Sequence, residues 1–255
     1  MNTAPDFLRV PFRSRKPRRQ GLTHVLDKGL PVEEMTAALG VCGAYVDVWK
    51  FGWGTAYLDP GLPAKLGVLR DHDVVACTGG TLLEVAWHQG VVAEYLAWAA
   101  DLGFPCVEVS SGVAPIGARE KASLIQAVAA RFVVVAEIGS KDPAAPVTPE
   151  AWAAAARADR EAGAEWVVTE GRESGTVGLF TGSGDVRAEV ADAVVAAVGR
   201  DCVVFEAPRK EQQAWLVRRF GADVGLGNLA PAEVLGVEAL RLGLRADTFG
   251  LGVPR

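Results

Sequence analysis

Cysteine and histidine are scarce in this sequence, and neither is spaced for a metal cluster or a disulfide framework. The four cysteines lie far apart with no C-x-x-C pair, and the three histidines follow no ligand spacing. We interpret the cysteines as small buried side chains of a reduced cytoplasmic protein, and the histidines as structural residues. The residues concerned are Cys42, Cys77, Cys106, Cys202, His24, His72 and His88.

Positive charge and long apolar runs are also in short supply. The formal net charge is −5 and the pI is about 5.3, so a protein that binds nucleic acid or an anionic membrane, which needs a basic face, is disfavoured. Apolar runs such as 132–136 fall far short of the ~20 residues that cross a bilayer. The basic stretch 13–19 leads into Gly21 and Thr23 rather than an apolar segment, so we expect no signal peptide. With 50% apolar and 22% charged residues, the composition is that of a globular protein.

Short apolar runs recur at nearly even intervals along the 255 residues. They are mostly continuous rather than alternating, which is typical of strands buried on both faces of a parallel sheet. Helical spacing and capping signals, such as Thr148 before Pro149, occupy several of the segments between them. Strands are predicted at 23–26, 45–49, 74–77, 106–109, 133–136, 166–168, 203–205 and 223–226, and helices at 119–131, 150–162, 186–198, 211–220 and 231–242.

Eight strands alternating with helices in this length predict a single (β/α)₈ TIM barrel of the α/β class. A weak repeat supports the count, because a glycine precedes a buried run at Gly43, Gly103, Gly163 and Gly221. A doubly wound open sheet is the alternative, disfavoured because no G-x-G-x-x-G follows the first strand. We expect one domain over 1–255, with 1–20 as a basic N-terminal extension.

Charged and amide side chains follow almost every predicted strand. Because barrel active sites lie at the carboxyl ends of the strands, these side chains should converge in one mouth. Three of the acids would repel one another there unless lysines or a divalent cation neutralise them, and carboxylate oxygens favour Mg²⁺. We therefore predict Glu137, Glu170 and Glu206 as metal ligands. Asp27 is expected in the same mouth, and Glu108 lies within plausible reach of the metal.

Cations and glycine-rich turns at the same ends favour a small phosphorylated carboxylate as substrate. Lysine and arginine can hold such anions, and backbone N–H groups of glycine loops at helix starts can approach them. A Schiff-base aldolase using Lys50 is a rival, weakened because the sixth strand ends in Thr169 and Glu170 rather than lysine. The predicted anion-binding residues are Lys28, Lys50, Lys141, Arg172, Gly79, Gly80, Gly227 and Asn228.

Several longer motifs stand out along the chain: GLTHVLDKGL at 21–30, KFGWGT at 50–55, GGTLLE at 79–84, EIGSK at 137–141, EGRESG at 170–175, EAPRK with two glutamines at 206–213, and LGLRADT at 242–248. Together they resemble the phosphosulfolactate synthase family, and the resemblance runs from about residue 16 to residue 250. The resemblance implies a (β/α)₈ barrel, a homo-oligomer and Mg²⁺-dependent addition of sulfite to phosphoenolpyruvate. The implied product is 2-phospho-3-sulfolactate, an intermediate on one route to coenzyme M.

The resemblance also implies catalytic roles. Lys141, at the end of the fifth strand, becomes the candidate that protonates C2, with Lys28 and Lys50 next in line. Lys50 and Arg172 become candidates for binding the substrate anions.

Three positions depart from the pattern of that family. Ser111 replaces an aspartate after the fourth strand, Ser140 replaces a lysine after the fifth, and Gly225 stands where an asparagine is usual. Losing one acid and one base is compatible with an exchanged salt bridge, or with a pocket for a nucleophile other than sulfite. A relative with another nucleophile or enolpyruvyl substrate is therefore the first alternative, and a non-catalytic stress or scaffold protein is the second.

Overall fold

Eight parallel strands close into a barrel in the computed structural model, which describes residues 7–142 and 144–252. Each strand pairs with the next along the chain, and β1 closes the ring against β8, with Thr23 opposite Leu226. The strands are β1 Thr23–Asp27, β2 Val48–Phe51, β3 Val75–Thr78, β4 Cys106–Val109, β5 Val133–Ile138, β6 Trp166–Thr169, β7 Val203–Glu206 and β8 Gly225–Leu229. The predicted TIM barrel is confirmed, and the doubly wound alternative is wrong.

Helices follow the strands and cover the barrel. They are α1 Val32–Cys42, α2 Thr55–Leu58, α3 Leu62–Asp71, α4 Gly80–His88, α5 Val92–Asp101, α6 Ala118–Ala129, α7 Pro149–Ala162, α8 Ala188–Val198, α9 Lys210–Phe220 and α10 Val234–Arg241. The predicted cap of α7 is present, because the Thr148 hydroxyl accepts a hydrogen bond from the Ala151 N–H. None of the helices in the described part of the chain has both the length and the apolar character needed to cross a membrane.

Two predicted strands begin two or more residues before the observed ones. Residues Gly43–Tyr45 form a turn of 3₁₀ helix, so β2 starts only at Val48. At the same end of the barrel, β8 begins at Gly225, and Asp223 precedes it with its carboxylate paired to Arg13. The glycine repeat is borne out at Gly103, Gly163 and Gly221, which have positive φ, whereas Gly43 has a φ of −57°.

The barrel interior changes from apolar to charged along the strand direction. Its lower layer consists of Leu22, Val48, Cys77, Cys106, Val135, Val168 and Val204. Side chains two residues apart on a strand share a face, so the inward positions above this layer are the charged ones. They are Lys50 on β2, Glu108 on β4, Glu137 on β5, Glu170 just after β6 and Glu206 on β7. The apolar layer supports this charged layer from below.

The basic N-terminal segment, described from residue 7, lies against the amino end of the barrel. Arg13 pairs with Asp223 at 2.7 Å and with Glu238 at 3.0 Å, and Arg18 pairs with Asp47 at 3.2 Å. These ion pairs are nearly buried, which ties the first residues to the start of β8 and to α10. The positive charge predicted for this extension is therefore used inside the protein.

Candidate active site

A cavity of about 310 Å³ opens at the carboxyl ends of the strands. Most of the predicted site residues line it: Lys50, Gly79, Gly80, Glu137, Lys141, Glu170, Arg172, Glu206 and Asn228. The remaining lining residues are Leu26, Gly52, Trp53, Thr81, Glu108 and Glu173. The convergence expected from the strand ends is thus present in one mouth.

Lys50 lies buried between two acids of the charged layer. Its Nζ is 2.8 Å from Glu108 Oε2 and 3.4 Å from Glu206 Oε1. Burial by itself lowers the pKa of this ammonium group, but the charges of Glu108, Glu206 and Glu137 outweigh it and raise the pKa well above its usual value. A Schiff-base lysine must lose its proton to attack a carbonyl. The geometry therefore disfavours the aldolase alternative for Lys50.

Lys141 reaches into the cavity from the loop after β5. Its Nζ lies 3.4 Å from Glu137 Oε1 and 3.8 Å from Glu170 Oε2. Burial lowers the pKa of Lys141, but the two carboxylates outweigh burial, so the pKa lies above the usual value for lysine. Lys141 is therefore an ammonium at neutral pH and holds a proton at the cavity wall.

The acids opposite these lysines are incompletely neutralised. Burial, with Glu137 and Glu206 nearby, raises the pKa of Glu170 to about 9. Burial raises the pKa of Glu206 to about 7, with Lys50 opposing the rise and Glu137 adding to it. Backbone N–H groups hold both carboxylates in place. Gly171 N–H donates a hydrogen bond to Glu206 Oε2 at 2.9 Å, and Arg172 N–H donates one to Glu170 Oε1 at 2.8 Å. The mouth therefore holds more acids than its lysines neutralise, and Glu170 and Glu206 favour their protonated forms when no cation is bound.

The raised pKa values of these two glutamates make the stability of the metal-free protein depend on pH. Because the folded-state pKa values of Glu170 and Glu206 exceed the ordinary 4.5, folding favours their protonated forms. That contribution is complete below the ordinary pKa and is lost as the pH rises through about 7 and then about 9. In chelator, we expect Glu170→Gln, which stays neutral, to lose less Tm than the unaltered protein between about pH 5 and about pH 9. Equal Tm losses in thermal scans would contradict this assignment.

Two carboxylate oxygens at the mouth are suited to a cation. Glu137 Oε1 and Glu170 Oε2 are buried and accept no hydrogen bond from any described residue. Across residues 7–142 and 144–252, no three acid, histidine or cysteine side chains are gathered as a ready-made metal site. Mg²⁺ is commonly held by only one or two carboxylates together with substrate oxygens. The pair, whose ion-pair partner is Lys141 Nζ at 3.4 Å and 3.8 Å, therefore fits Mg²⁺, whereas both oxygens of Glu206 already accept hydrogen bonds.

The backbone N–H groups of Gly79 and Gly80, which we predicted to bind an anion, already donate hydrogen bonds within the protein. Gly79 N–H donates to Phe51 O at 3.0 Å, and Gly80 N–H donates to Glu108 Oε1 at 2.9 Å, so both donors are engaged within the protein. Gly227 is absent from the cavity wall, because β8 extends to Leu229 and places this glycine inside the barrel. A Cβ atom there would lie 3.0 Å from His24 Nδ1. The loop predicted around Gly227 is largely strand.

The neighbouring Asn228 does line the cavity. It has a φ of +54°, and its buried Oδ1 accepts no hydrogen bond from the described residues. An unpartnered buried oxygen beside the cavity is a candidate acceptor for a ligand donor group.

Arg172 and Trp53 flank the cavity from two loops. Both have left-handed backbone conformations, with φ of +50° and +55°. The Arg172 guanidinium forms no ion pair with any described acid, so its donors are open to a ligand. Lys28 does not line the cavity, and its Nζ instead sits 4.8 Å from the centre of the Trp53 ring. The structure thus places Arg172 at the cavity, whereas Lys28 contacts the Trp53 ring and does not line the cavity.

The expectation that Asp27 points into the mouth is wrong. Leu26 takes the inward position on β1, so Asp27 faces the helices, where Lys65 Nζ lies 3.1 Å from its Oδ2. Trp53, by contrast, was not among the predicted site residues, and Glu108 was named only as an acid within reach of the metal. The period-two spacing from Cys106 marks Glu108 as inward-facing, but sequence periodicity carries no comparable signal for Trp53, which lies in a loop.

Solved structures of other proteins share this architecture at low sequence identity. A 3-hexulose-6-phosphate synthase aligns with a TM-score of 0.55 and 17% identity, over 86% of this chain and 99% of its own. A thiamine phosphate pyrophosphorylase from Pyrococcus furiosus aligns with the same TM-score and identity, over 88% and 95%. At this identity the likeness concerns the fold alone.

Sequence relatives identify the family. A family model described as (2R)-phospho-3-sulfolactate synthase (ComA) matches residues 11–247. The phosphosulfolactate synthase of Bacillus subtilis is 38% identical over 96% of this chain and 99% of its own. The enzymes of the same name from Methanothermobacter thermautotrophicus and Methanocaldococcus jannaschii are 39% and 40% identical, over 96% and 91% of this chain and 97% and 95% of their own. The chain therefore belongs to the phosphosulfolactate synthase family of enzymes.

Proposed function

We propose that the protein adds sulfite to phosphoenolpyruvate, with Mg²⁺, to give 2-phospho-3-sulfolactate. The observation that carries the proposal is the meeting in one cavity of Lys141, Arg172 and two buried carboxylate oxygens that accept no hydrogen bond from the described residues. Together they offer a proton, a forked anion-binding group and ligands for a divalent cation. In the proposed reaction, negative charge develops on phosphoenolpyruvate and its C2 atom then takes a proton. The cation would stabilise that charge, the arginine would bind the substrate anion, and the lysine would give the proton.

The reaction forms one C–S bond and one C–H bond. The sulfur lone pair of sulfite attacks C3, the electrons of the C2–C3 double bond move toward C2 and the carboxylate, and C2 then takes a proton. Lys141 is placed to give that proton because its ammonium group faces the cavity beside Glu137 and Glu170. Arg172 binds phosphate or carboxylate oxygens with its fork. Lys50 holds Glu108 and Glu206 at the floor.

Glu137 and Glu170 would hold the Mg²⁺ through the buried oxygens that accept no hydrogen bond from the described residues. When bound, the cation supplies Lewis-acid stabilisation of the negative charge that develops on the substrate carboxylate. Glu206 was predicted as a third ligand and stays a prediction, one that requires its contacts with Lys50 and Gly171 to loosen.

Mass spectrometry of a single incubation tests the reaction. The purified protein is mixed with phosphoenolpyruvate, Mg²⁺ and sulfite, and we expect a product whose mass equals phosphoenolpyruvate plus the elements of sulfurous acid. Parallel mixtures replace sulfite with other small nucleophiles. An adduct formed with one of those, and not with sulfite, would favour the alternative substrate.

The structure lends that alternative little support. None of the three departures from the family pattern lines the cavity. The Ser140 hydroxyl accepts from Asp142 N–H, Ser111 lies in the loop after β4, and a Cβ at Gly225 would overlap Val203 O of β7. The changes at Ser111, Ser140 and Gly225 therefore lie outside the residues that line the cavity, so they give no ground for a nucleophile other than sulfite.

Arg172→Lys should weaken substrate binding although the charge is kept. Lysine is a point charge and cannot make the paired hydrogen bonds of a guanidinium. One hydrogen bond to a charged group contributes about 1.5–3 kcal/mol, so the KM for phosphoenolpyruvate should rise about tenfold or more. Steady-state kinetics measures this, with Arg218→Lys on the exposed face of α9 as the matched control. Unchanged kinetics in Arg172→Lys would remove Arg172 from the binding site.

Chelation should abolish turnover, and Glu170→Gln should need more Mg²⁺. Because an amide is a poorer ligand than a carboxylate, the Mg²⁺ concentration giving half-maximal rate should rise by more than about tenfold. Glu211→Gln, an exposed residue of α9, is the control. Full activity in excess chelator would reject the metal.

The cytoplasmic location and the homo-oligomeric state also remain predictions. Cell fractionation tests the first, and light scattering after gel filtration tests the second.

A further inference from the structure

Glu84 is a buried carboxylate that the proposed reaction leaves without a role. It lies on α4 and is 2% exposed. It accepts hydrogen bonds from the Ser110 hydroxyl and from three successive backbone N–H groups of the loop after β4: Gly112 at 3.1 Å, Val113 at 2.8 Å and Ala114 at 2.5 Å. A single carboxylate therefore determines the path of residues 110–114.

These bonds hold the loop tightly against α4. Hydrogen bonds from N–H groups to an ionised acceptor are about twice as strong as neutral ones. The first turn of α4 packs equally closely, because a Cβ atom at Gly80 would overlap the Ser110 hydroxyl oxygen. The loop is thus docked at both Gly80 and Glu84.

The docked loop forms the surface on which the Lys141 side chain lies. A Cβ atom built on Gly112 would be 3.1 Å from Lys141 Cδ and 3.2 Å from both Cγ and Cε. The lysine methylenes therefore run directly over Gly112, and their Nζ ends between Glu137 and Glu170. A displacement of Gly112 would be transmitted to the ammonium group.

We propose that Glu84 is a positioning residue for the reaction: by fixing residues 110–114, it sets Gly112 and so aims the Lys141 ammonium group into the cavity. The inference rests on the proposed function, in which Lys141 gives a proton to C2. A misplacement of about 1 Å in a reacting group can cost about 10²-fold in rate.

A double-mutant cycle tests the coupling. Glu84→Gln keeps the size of the side chain but replaces one acceptor oxygen with an NH₂ group. That group is a donor and cannot accept the hydrogen bonds of the loop N–H groups. We expect kcat to fall about 10- to 10²-fold with little change in the KM for phosphoenolpyruvate. In a Lys141→Ala background, where the methylenes and ammonium are gone, the same change should have almost no further effect on kcat. An equal loss of kcat in both backgrounds would overturn the proposal.

Two further variants separate positioning from general damage. Gly112→Ala leaves Glu84 in place but pushes on the lysine methylenes, so it should reproduce the loss of kcat. Glu120→Gln alters a nearby exposed acid, whose only described hydrogen bond is from Trp87 Nε1, and should leave kcat unchanged. Wild-type kcat in Gly112→Ala would contradict the route through Gly112.

A measurement without substrate keeps this inference distinct from the proposed function. In NMR spectra of the free protein, Glu84→Gln should speed amide exchange at Gly112, Val113 and Ala114 and weaken the nuclear Overhauser contact between Gly112 Hα and Lys141 Hε. If the unaltered protein forms no adduct with sulfite while these changes occur, the proposed reaction fails and the aiming of Lys141 stands. Retention of the Gly112–Lys141 contact in Glu84→Gln would overturn the aiming itself.

Discussion

Replacing Lys141 with alanine should lower kcat by about 10²–10⁴, the usual effect of losing a general acid. The side chain ends in the cavity as an ammonium group, 3.4 Å from Glu137 and 3.8 Å from Glu170. Arg172 remains in the variant to bind the substrate anion, so the KM for phosphoenolpyruvate should change little. Steady-state kinetics separates these two parameters.

The identity of the donor can be checked in the reverse direction. In deuterated water, phosphosulfolactate should exchange its C2 proton more slowly with Lys141→Ala than with the unaltered enzyme. Lys210→Ala is the matched control, because Lys210 is an exposed lysine paired with Glu211 and Asp247 on the surface. If Lys141→Ala keeps kcat and loses only affinity, the lysine is a binding charge and another group gives the proton.

Lys50→Met should destabilise the fold by about 3–5 kcal/mol, the usual cost of leaving a buried charge without its partner. Lys50 is 4% exposed and separates Glu108 from Glu206 at the floor of the cavity. Without the ammonium group, these two acids face each other inside the barrel. Denaturant unfolding, followed by circular dichroism, measures the loss of free energy.

A second substitution shows whether charge is the cause. Glu108→Gln in the Lys50→Met background removes one of the two acids while keeping an acceptor for Gly80 N–H, so it should recover part of the lost stability. A double variant that is no more stable than the single one would show that lost packing, and not the unpaired acid, accounts for the effect. Should the single variant fail to fold, recovery of folding in the double variant supports the same conclusion.

The strand ends of a barrel could be predicted from apolar runs because parallel strands buried on both faces leave a local signal. The predicted run at 106–109 contains Glu108, and the runs that end at residues 136 and 205 lead, one residue later, to Glu137 and Glu206 on the inward face. Once the closed ring is known, period-two alternation brings these acids together whatever their separation in sequence. Most of the charged residues that line the cavity could therefore be predicted from the sequence.

Local sequence could not predict which side chains of β1 point into the barrel, nor where β8 ends. Leu26 and Asp27 are both buried, and only the pairing with β2 and β8 decides that Leu26 faces inward. Gly227 belongs to a strand although its glycine-rich sequence is typical of a loop, because neighbouring strands leave no room for side chains there. Three-dimensional packing overrides local propensity at these positions.

Glu84 illustrates a further limit. Its partners lie 26 to 30 residues away, and three of them are backbone groups that carry no sequence signature. In the sequence, a glutamate that accepts hydrogen bonds from a distant loop cannot be distinguished from a glutamate on the exposed face of a helix. Such residues are found only when hydrogen bonds are traced through the folded molecule.

The ion pairs of the N-terminal segment bear on the order in which the chain can assemble. Arg13 binds Asp223 and Glu238, which follow it by 210 and 225 residues. Contacts this distant in sequence are slow to form, since a long loop must be closed first. During synthesis, which proceeds from the N-terminus, Arg13 leaves the ribosome long before either acid exists. The ion pairs that tie Arg13 to Asp223 and Glu238 can therefore form only after residues 223 and 238 have been synthesised.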